Sequence, residues 1–171
     1  FVDYATGDGL GSTISIFRND GEGILRPQRA VAAGRYLNCI DGDDFDGDGD
    51  LDLVTAAIRD NRMQVFLNGG AAAFGARREY PTGARPFHVH VGELTGDNQP
   101  EIISSNENSA TISVYRNAGD GSGLFQSRRD YRVGSQPVSS ATGDFNRDGL
   151  GDIAVAVRGI RQFVVLLNQG D

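Results

Sequence analysis

The sequence contains no lysine, no tryptophan and a single cysteine. One thiol has no partner within its own chain, so an internal disulfide is excluded, and we predict that Cys39 is a buried packing residue. No apolar run approaches the length of a membrane span, which predicts no membrane insertion. Helical periodicity is also hard to find. With 171 residues, the chain is long enough for one domain with its own core.

Positive charge is scarce as well. The formal net charge is −7 and the isoelectric point is about 4.7. Because nucleic-acid binding depends on basic stripes that neutralise phosphates, this balance predicts that nucleic acid is not a partner. Much of the negative charge lies in short acidic segments, and these segments are the most informative part of the chain.

Two of the acidic segments, residues 44–52 and 144–152, follow the pattern D-x-[DN]-x-D-G-x-x-D. Their carboxylates would repel one another without a cation, and oxygen ligands at this density suit calcium better than zinc or copper. The glycine at position 6 permits a sharp turn that lets position 7 offer its carbonyl oxygen. In the first loop the predicted ligands are the side chains of Asp44, Asp46, Asp48 and Asp52 and the carbonyl of Asp50. In the last loop they are the side chains of Asp144, Asn146, Asp148 and Asp152 and the carbonyl of Leu150.

A weaker copy of the same loop lies between them, at residues 93–101. Its predicted ligands are the side chains of Glu93, Thr95, Asp97 and Glu101 and the carbonyl of Gln99. Asn98 occupies the glycine position, and asparagine tolerates the left-handed conformation better than most residues. Because this copy has fewer charges and longer side chains, we expect two strong calcium sites and one weaker site.

Other interpretations of these loops are less consistent with the sequence. A single Asp- and Gly-rich stretch could be a solvated turn, but two full copies in register favour calcium. An EF-hand would need an acid at position 12, where Thr55 and Val155 stand, and would need a helix after the loop. The predicted ligands are all protein groups, whereas a catalytic metal usually keeps one position open. We therefore expect a structural metal.

The loops belong to an internal repeat of about 50 residues. An apolar segment that ends in asparagine recurs at Asn19, Asn68, Asn117 and Asn168, at intervals of 49, 49 and 51 positions. A glycine turn follows the same spacing at Gly34, Gly83 and Gly134. The agreement of these markers with the acidic loops divides the chain into units 1–34, 35–83, 84–134 and 135–171.

Each complete unit is predicted to contain four short strands. In the second unit these are residues 36–40, 53–58, 63–67 and 78–80. In the third unit they are residues 87–91, 102–105, 111–115 and 128–131. Four antiparallel strands in a repeat of this length are typical of one β-propeller blade. The predicted fold is all-β, with about three and a half blades.

The pattern resembles the FG-GAP/VCBS repeat family, which includes the β-propeller of integrin α-subunits. The resemblance rests on the two acidic loops, each followed by an apolar strand at Leu53-Val54 or Ile153-Ala154-Val155, and on the segment from Asn117 to Phe125. It covers essentially the whole chain. It implies calcium in loops between the first and second strands of each blade, and binding of proteins or carbohydrates through loops at one face or between blades.

The ends of the sequence suggest incomplete units. Residues 1–6 align with a second strand, and the chain stops partway through the turn that continues beyond Asn117 in the third unit. No signal peptide is visible, and the chain begins at Phe1 without methionine. Because open blade faces and sheet edges favour association, we expect either further blades from a longer chain or contacts between copies.

The leading functional hypothesis is a secreted or cell-surface module for adhesion or for binding proteins or carbohydrates, and not an enzyme. A propeller that forms part of a polysaccharide-degrading enzyme and a repeat of a surface fibre remain alternatives. His88 and His90 share one strand face, but no third metal ligand can be identified, so packing is the favoured interpretation. The outer arginines Arg77-Arg78 and Arg128-Arg129 are predicted to be solvated charges that block sheet edges, with an acidic ligand as the alternative.

Overall fold

The computed structural model of the chain describes residues 3–170, and the regular elements in this range are β-strands. None of these residues forms a helix able to cross a membrane. The strands are β1 Tyr4–Gly7, β2 Thr13–Asn19, β3 Leu25–Ala32, β4 Leu37–Asp41, β5 Leu53–Ala57, β6 Arg62–Phe66, β7 Arg78–Pro81, β8 Pro86–Gly92, β9 Glu101–Asn106, β10 Thr111–Tyr115, β11 Arg129–Arg132, β12 Pro137–Gly143, β13 Asp152–Val157 and β14 Gln162–Leu166.

The strands form four antiparallel sheets in which consecutive strands pair. The second sheet contains β4 to β7 and the third contains β8 to β11, so each has the four strands predicted for a blade. The first sheet contains β1 to β3 and the fourth contains β12 to β14. The predicted all-β fold built from antiparallel blades is confirmed.

The starts of the two predicted inner strands each differ from the prediction by one residue, in opposite directions: β8 begins at Pro86, one residue before the predicted start at Phe87. The prediction begins the first strand of the second unit at Tyr36, but β4 begins at Leu37. Tyr36 has a φ of 57°, and its repeat counterparts Arg85 and Gln136 have φ values of 57° and 59°. A left-handed residue cannot continue a pleated strand, so each inner strand begins after it. The prediction for residues 1–6 falls partly outside the described residues, and β1 begins at Tyr4.

The core lies between neighbouring sheets and not within any one of them. Successive side chains of a strand point to opposite faces, and β5 is buried at all of its positions because a sheet covers each of its faces. Leu53 and Ala57 pack against the first sheet, whereas Val54 and Ala56 pack against the third. A third cluster, which includes Ile112 and Val155, joins the third and fourth sheets. Stacking therefore supplies the burial that a single blade lacks.

The outward face of the fourth sheet is open in the described structure. Phe163 of β14 is 84% exposed, whereas its counterpart Ile112 in β10 is fully buried beneath the fourth sheet. Val165 is exposed as well. In the third sheet, the corresponding face is covered by apolar side chains of β13 and β14.

Candidate metal centre

The three acidic loops lie at one end of the sheets. Each loop joins the first strand of its sheet to the second: residues 44–52 join β4 to β5, residues 93–101 lead into β9, and residues 144–152 lead into β13. The antiparallel pairing of the two strands brings the ends of each loop together, so the loop closes on itself. The N–H of Asp52 donates to the carbonyl of Asp43 over 2.9 Å at the base of the first loop.

The first loop brings together three of its predicted ligands. One carboxylate oxygen from each of Asp44, Asp46 and Asp48 lies within 4.8 Å of the other two. Asp44 shapes the turn, because its carboxylate accepts hydrogen bonds from the N–H groups of Gly47 and Gly49 over 2.7 and 2.9 Å. The sequence prediction of a cluster at positions 1, 3 and 5 therefore corresponds to side chains that converge.

Position 9 has a different place in the structure. Asp52 is fully buried, and its two oxygens accept hydrogen bonds from the N–H groups of Phe45 and Asn68 over 2.9 and 2.7 Å. It therefore ties the loop to the segment that follows β6, the third strand of the sheet. Each carboxylate oxygen has two lone pairs, so these bonds leave Asp52 further capacity to accept.

The other two loops repeat this arrangement. The carboxylates of Asp152 and Glu101 accept hydrogen bonds from the N–H groups of Phe145 and Leu94, each over 2.9 Å. Position 7 is held in the same way in all three loops, because its N–H donates to the position 5 carboxylate. The bonds run from Asp50 to Asp48, from Gln99 to Asp97 and from Leu150 to Asp148, over 2.8, 2.8 and 2.9 Å.

Backbone conformation confirms that Asn98 takes the role of a glycine. Its φ is 61°, while Gly49 and Gly149 have φ values of 90° and 89° at the same position. Position 4 is left-handed as well, even where it is Arg147, with a φ of 64°. The loop conformation thus survives substitution of both glycine positions, which indicates that the side-chain hydrogen bonds determine it as much as glycine does.

The donor sets of the loops differ in detail. In the middle loop Glu93 Oε1 accepts hydrogen bonds from Thr95 and Gly96, while Glu93 Oε2 is buried and has no hydrogen-bond partner. In the last loop the Asn146 side-chain nitrogen donates to Asp148 over 2.8 Å. An ion bound there would require the Asn146 amide to turn its oxygen inward, because the amide nitrogen is a donor and cannot be a ligand.

Burial affects the titration of two of these acids. Desolvation raises the pKa of Asp52 to about 6, against the opposite effect of its two backbone hydrogen bonds. Desolvation likewise raises the pKa of Glu101 to about 7. Nearby carboxylates add to both shifts, Asp46 and Asp48 for Asp52 and Glu93 and Asp97 for Glu101. A cation among these groups would offset both the burial and the mutual repulsion.

The residues present fit calcium. Its oxygen ligands lie at about 2.3–2.6 Å, so two ligands of one ion are separated by at most about 5 Å. The three aspartate oxygens in the first loop lie within 4.8 Å of one another and so meet that limit. All the predicted donors are oxygen atoms, and one of them, Glu93 Oε2, is a buried carboxylate oxygen that no protein group satisfies.

Neighbouring blades hold the loops in place. The side-chain amide of Asn117 in the third unit donates to the carbonyl of Phe45 in the first loop over 2.9 Å. The amide of Asn168 in the fourth unit donates to the carbonyl of Leu94 in the middle loop over 2.7 Å. The rings of Phe45 and Phe125 meet edge to face with centroids 5.3 Å apart. This role was not predicted, although the recurrence of the asparagines at a fixed spacing was a signal of it.

Two further predictions take a different form in the structure. Arg78 is half-buried and donates to the carbonyls of Ser122 and Gly123, so it connects the second and third units instead of being a solvated edge charge. Cys39 is half-buried, and its thiol donates to the carbonyl of Val89 on the neighbouring inner strand. Both side chains face a neighbouring blade, a location that the sequence of one unit does not reveal.

His90 of the inner strand β8 contacts both neighbouring units. His90 Nδ1 lies 3.5 Å from Asp41 of the second unit, and its Nε2 accepts a hydrogen bond from the N–H of Thr142 in the fourth. Burial lowers the pKa of His88. Within residues 3–170, Asp44, Asp46 and Asp48 form the one cluster of His, Cys, Asp or Glu side chains that meets the geometry of a metal site.

Comparisons with known proteins agree with this fold. A family model described as an FG-GAP-like repeat matches residues 44–104 and again residues 94–155. No curated protein sequence matches the chain significantly. Among solved structures, BBS1N in its complex with ARL6DN is similar with a TM-score of 0.60 and 12% identity, over 92% of this chain and 50% of that chain. The chain thus spans half the length of that protein.

A second similar structure is the Tc holotoxin pore of Photorhabdus luminescens, with a TM-score of 0.55 and 15% identity. That match covers 94% of this chain and 8% of the toxin chain. At these identities the two likenesses concern the fold alone.

Proposed function

Because the chain belongs to the FG-GAP-like repeat family, which the double match over residues 44–155 shows, we propose that it is a calcium-stabilised binding module. In this proposal the blades form a rigid scaffold, calcium ions hold the acidic loops, and exposed turns bind a protein or a carbohydrate. The proposal places the module outside the cell or at the cell surface, where calcium is abundant enough for sites of modest affinity.

The convergence of Asp44, Asp46 and Asp48 is the observation that carries the proposal. Three carboxylates within 4.8 Å of one another repel strongly unless a cation lies among them. The same backbone frame recurs at residues 93–101 and 144–152, which supports up to three sites of unequal strength.

The proposed metal role is structural. Each loop leads directly into the second strand of its blade, and the carbonyl of its second residue is held by the next blade in the first two loops. An ion in the loop would therefore stabilise both a blade and its contact with the next blade. The same acidic loop recurs in successive blades, whereas a catalytic centre is usually single. The repetition therefore favours a binding role over a catalytic one.

Calcium removal tests this proposal. If free calcium is about 100 times the dissociation constant of a site, binding contributes about 2.7 kcal/mol to the free energy of unfolding. For a chain of this length, chelation should then lower the melting temperature by roughly 5–10 °C per strong site. Calorimetric titration of the chelated protein should recover binding with two strong sites.

A matched pair of variants locates the effect. Asp48→Asn removes one carboxylate of the triad, whereas Asp43→Asn removes an exposed carboxylate just before the loop. We expect Asp48→Asn to abolish one strong site and Asp43→Asn to leave both. An unchanged melting temperature on chelation, or equal effects of the two substitutions, would contradict the metal assignment.

The proposal also includes a covering for the open face of the fourth sheet. Phe163 and Val165 are exposed there, whereas the corresponding face of the third sheet is buried by the fourth. We propose that another blade packs on it, from a longer chain or from a second copy. Sedimentation of the isolated chain should show self-association that Phe163→Ser weakens, and a strictly monomeric chain would exclude the second copy.

A further inference from the structure

The end of the sheets opposite the acidic loops is formed by turns that lie close together. Backbone hydrogen bonds join them in pairs: Ile58 donates to Tyr36, Glu107 donates to Arg85, and Arg158 donates to Gln136, over 3.2, 3.0 and 2.9 Å. Counted with the strand-end residues that border them, the turns comprise residues 33–36, 58–62, 82–85, 107–110, 132–136 and 158–162. We call this end the arginine face.

The charge of the arginine face is opposite to that of the whole chain. Its turns contain seven arginines but only two acids, Asp60 and Glu107, in a chain whose net charge is −7. The arginines are Arg35, Arg59, Arg62, Arg85, Arg132, Arg158 and Arg161. The loop at residues 44–52 alone has five aspartates at the other end. The two ends of the module therefore carry charges of opposite sign.

Several arginines of this face have no carboxylate partner of their own within the described structure. All seven are exposed. Among residues 3–170, four of them make no ion pair with a carboxylate, namely Arg35, Arg59, Arg132 and Arg161. Unpaired guanidinium groups at this density favour anionic partners, because each can form two parallel hydrogen bonds with a carboxylate.

The face already contains one carboxylate held in this way. Glu107 is buried, Arg85 Nε lies 2.5 Å from its Oε2, and Arg158 of the fourth unit contacts its Oε1. Guanidinium groups from two neighbouring units thus converge on one protein carboxylate. Arginines of two neighbouring blades are therefore close enough at this end to contact one Glu carboxylate together.

We propose that the arginine face binds an acidic peptide segment of a partner protein. The inference deepens the proposed binding function and rests on it. Carboxylates of the partner would contact the unpaired arginines of successive blades, in the manner in which Arg85 and Arg158 contact Glu107. The attraction is electrostatic and partly solvent-exposed, so binding weakens as salt is added.

The same observations favour a peptide over other anions. Sugar rings commonly stack on aromatic side chains, and the one aromatic residue in the turns of the face, Tyr36, is covered by Arg59, whose guanidinium lies 3.7 Å from the ring centroid. A nucleic acid would extend over a surface whose surroundings are acidic, at a net charge of −7. Arginine is also enriched at the energetic centres of protein interfaces.

Binding of fluorescent poly-L-glutamate in the presence of excess calcium tests the proposal. The variant Arg35→Gln/Arg59→Gln/Arg161→Gln removes three unpaired charges from the face. The control Arg18→Gln/Arg29→Gln/Arg116→Gln removes three exposed arginines that lie outside it and make no ion pair within residues 3–170. We expect the face variant to weaken binding by about tenfold or more and the control variant to weaken it by less than about threefold.

Heparin, polygalacturonate and duplex DNA serve as competitors of other chemical classes. Tighter binding of any of these than of poly-L-glutamate would overturn the choice of a peptide partner. Equal weakening by the two triple variants would contradict the assignment of binding to the arginine face, because binding would then depend only on the net charge of the protein. Absence of binding at low salt would overturn the proposal outright, provided that melting curves show the proteins to be folded.

The outcome is separable from that of the proposed function. Calcium dependence of the melting temperature tests the metal-stabilised scaffold and does not involve the arginine face. A chelation-sensitive protein that ignores poly-L-glutamate would keep the scaffold and reject the acidic partner. A calcium-insensitive protein that binds poly-L-glutamate through the arginine face would reject the calcium-stabilised scaffold and keep the acidic partner.

Discussion

The first and last acidic loops follow the same sequence pattern and share most of their internal hydrogen bonds, yet they differ in their surroundings. In both, the aspartate at position 9 accepts a hydrogen bond from the N–H of the phenylalanine at position 2 over 2.9 Å. Phe45 of the first loop is nevertheless fully buried, while Phe145 of the last loop is 52% exposed. The third unit covers the first loop with Phe125 and Asn117.

The difference separates two sources of order in these loops. Local hydrogen bonds set the loop conformation, because it is the same whether or not a neighbouring blade covers it. Contact with the next blade supplies burial, because only the covered phenylalanine loses its exposure to water. Matched substitutions in the two loops should therefore differ where they remove burial and agree where they alter backbone conformation.

Truncation of the phenylalanines should give the largest difference. Phe45→Ala removes a fully buried ring from the core cluster between the second and third sheets, which should cost about 3–5 kcal/mol of unfolding free energy. Phe145→Ala removes a half-exposed ring and should cost less than about 1 kcal/mol. Denaturant unfolding of both variants measures the costs. Similar values would indicate that the last loop is covered in solution.

Removal of the asparagine bond between blades should have an intermediate effect. Asn117→Ala leaves the carbonyl of Phe45 without its partner in a buried setting, at about 1–3 kcal/mol. Asn19→Ala is the matched control. Both asparagines accept a hydrogen bond from the N–H two residues later, at Gly119 and at Gly21. Among residues 3–170, Asn117 alone of the two donates to a loop of the preceding unit. Equal destabilisation would mean that the bond between blades contributes nothing measurable.

Substitution of the loop glycines should have a smaller effect, equal in both loops. Gly49 and Gly149 have φ values of 90° and 89°, and a Cβ at either position would meet open space. Each Gly→Ala change should therefore cost about 1–2 kcal/mol through backbone strain alone. Thermal unfolding in calcium would measure both. A much larger cost at Gly49 would show that the covering blade, and not only the local turn, determines the conformation.

The sequence predicted the features that depend on local pattern. The acidic loops, their repeat spacing and the alternation of apolar residues are all short-range, so the sheets and the converging Asp44, Asp46 and Asp48 followed from them. The substitution of Asn98 for glycine was anticipated correctly, because the left-handed conformation depends on one residue. Whether the predicted ligands bind calcium stays a prediction, which the chelation experiment addresses.

Contacts between units could not be derived in the same way. Arg78 and Asn117 each bind a carbonyl more than 40 residues away in sequence, and no pattern within one unit specifies that partner. Asp52 was assigned as a ligand from its position in the loop, but the sequence could not show that backbone N–H groups of Phe45 and Asn68 occupy part of its capacity. Long-range partners depend on how blades stack, which the repeat indicates only in outline.

The asparagine bonds between blades also set an order in time. The first loop is complete when residue 52 has been synthesised, but the amide that holds its carbonyl belongs to residue 117. The middle loop similarly waits for residue 168. During synthesis on a ribosome, more than one further blade must therefore be added before the outer contact of either loop can form. The first two loops are therefore each completed by the blade that is synthesised after them.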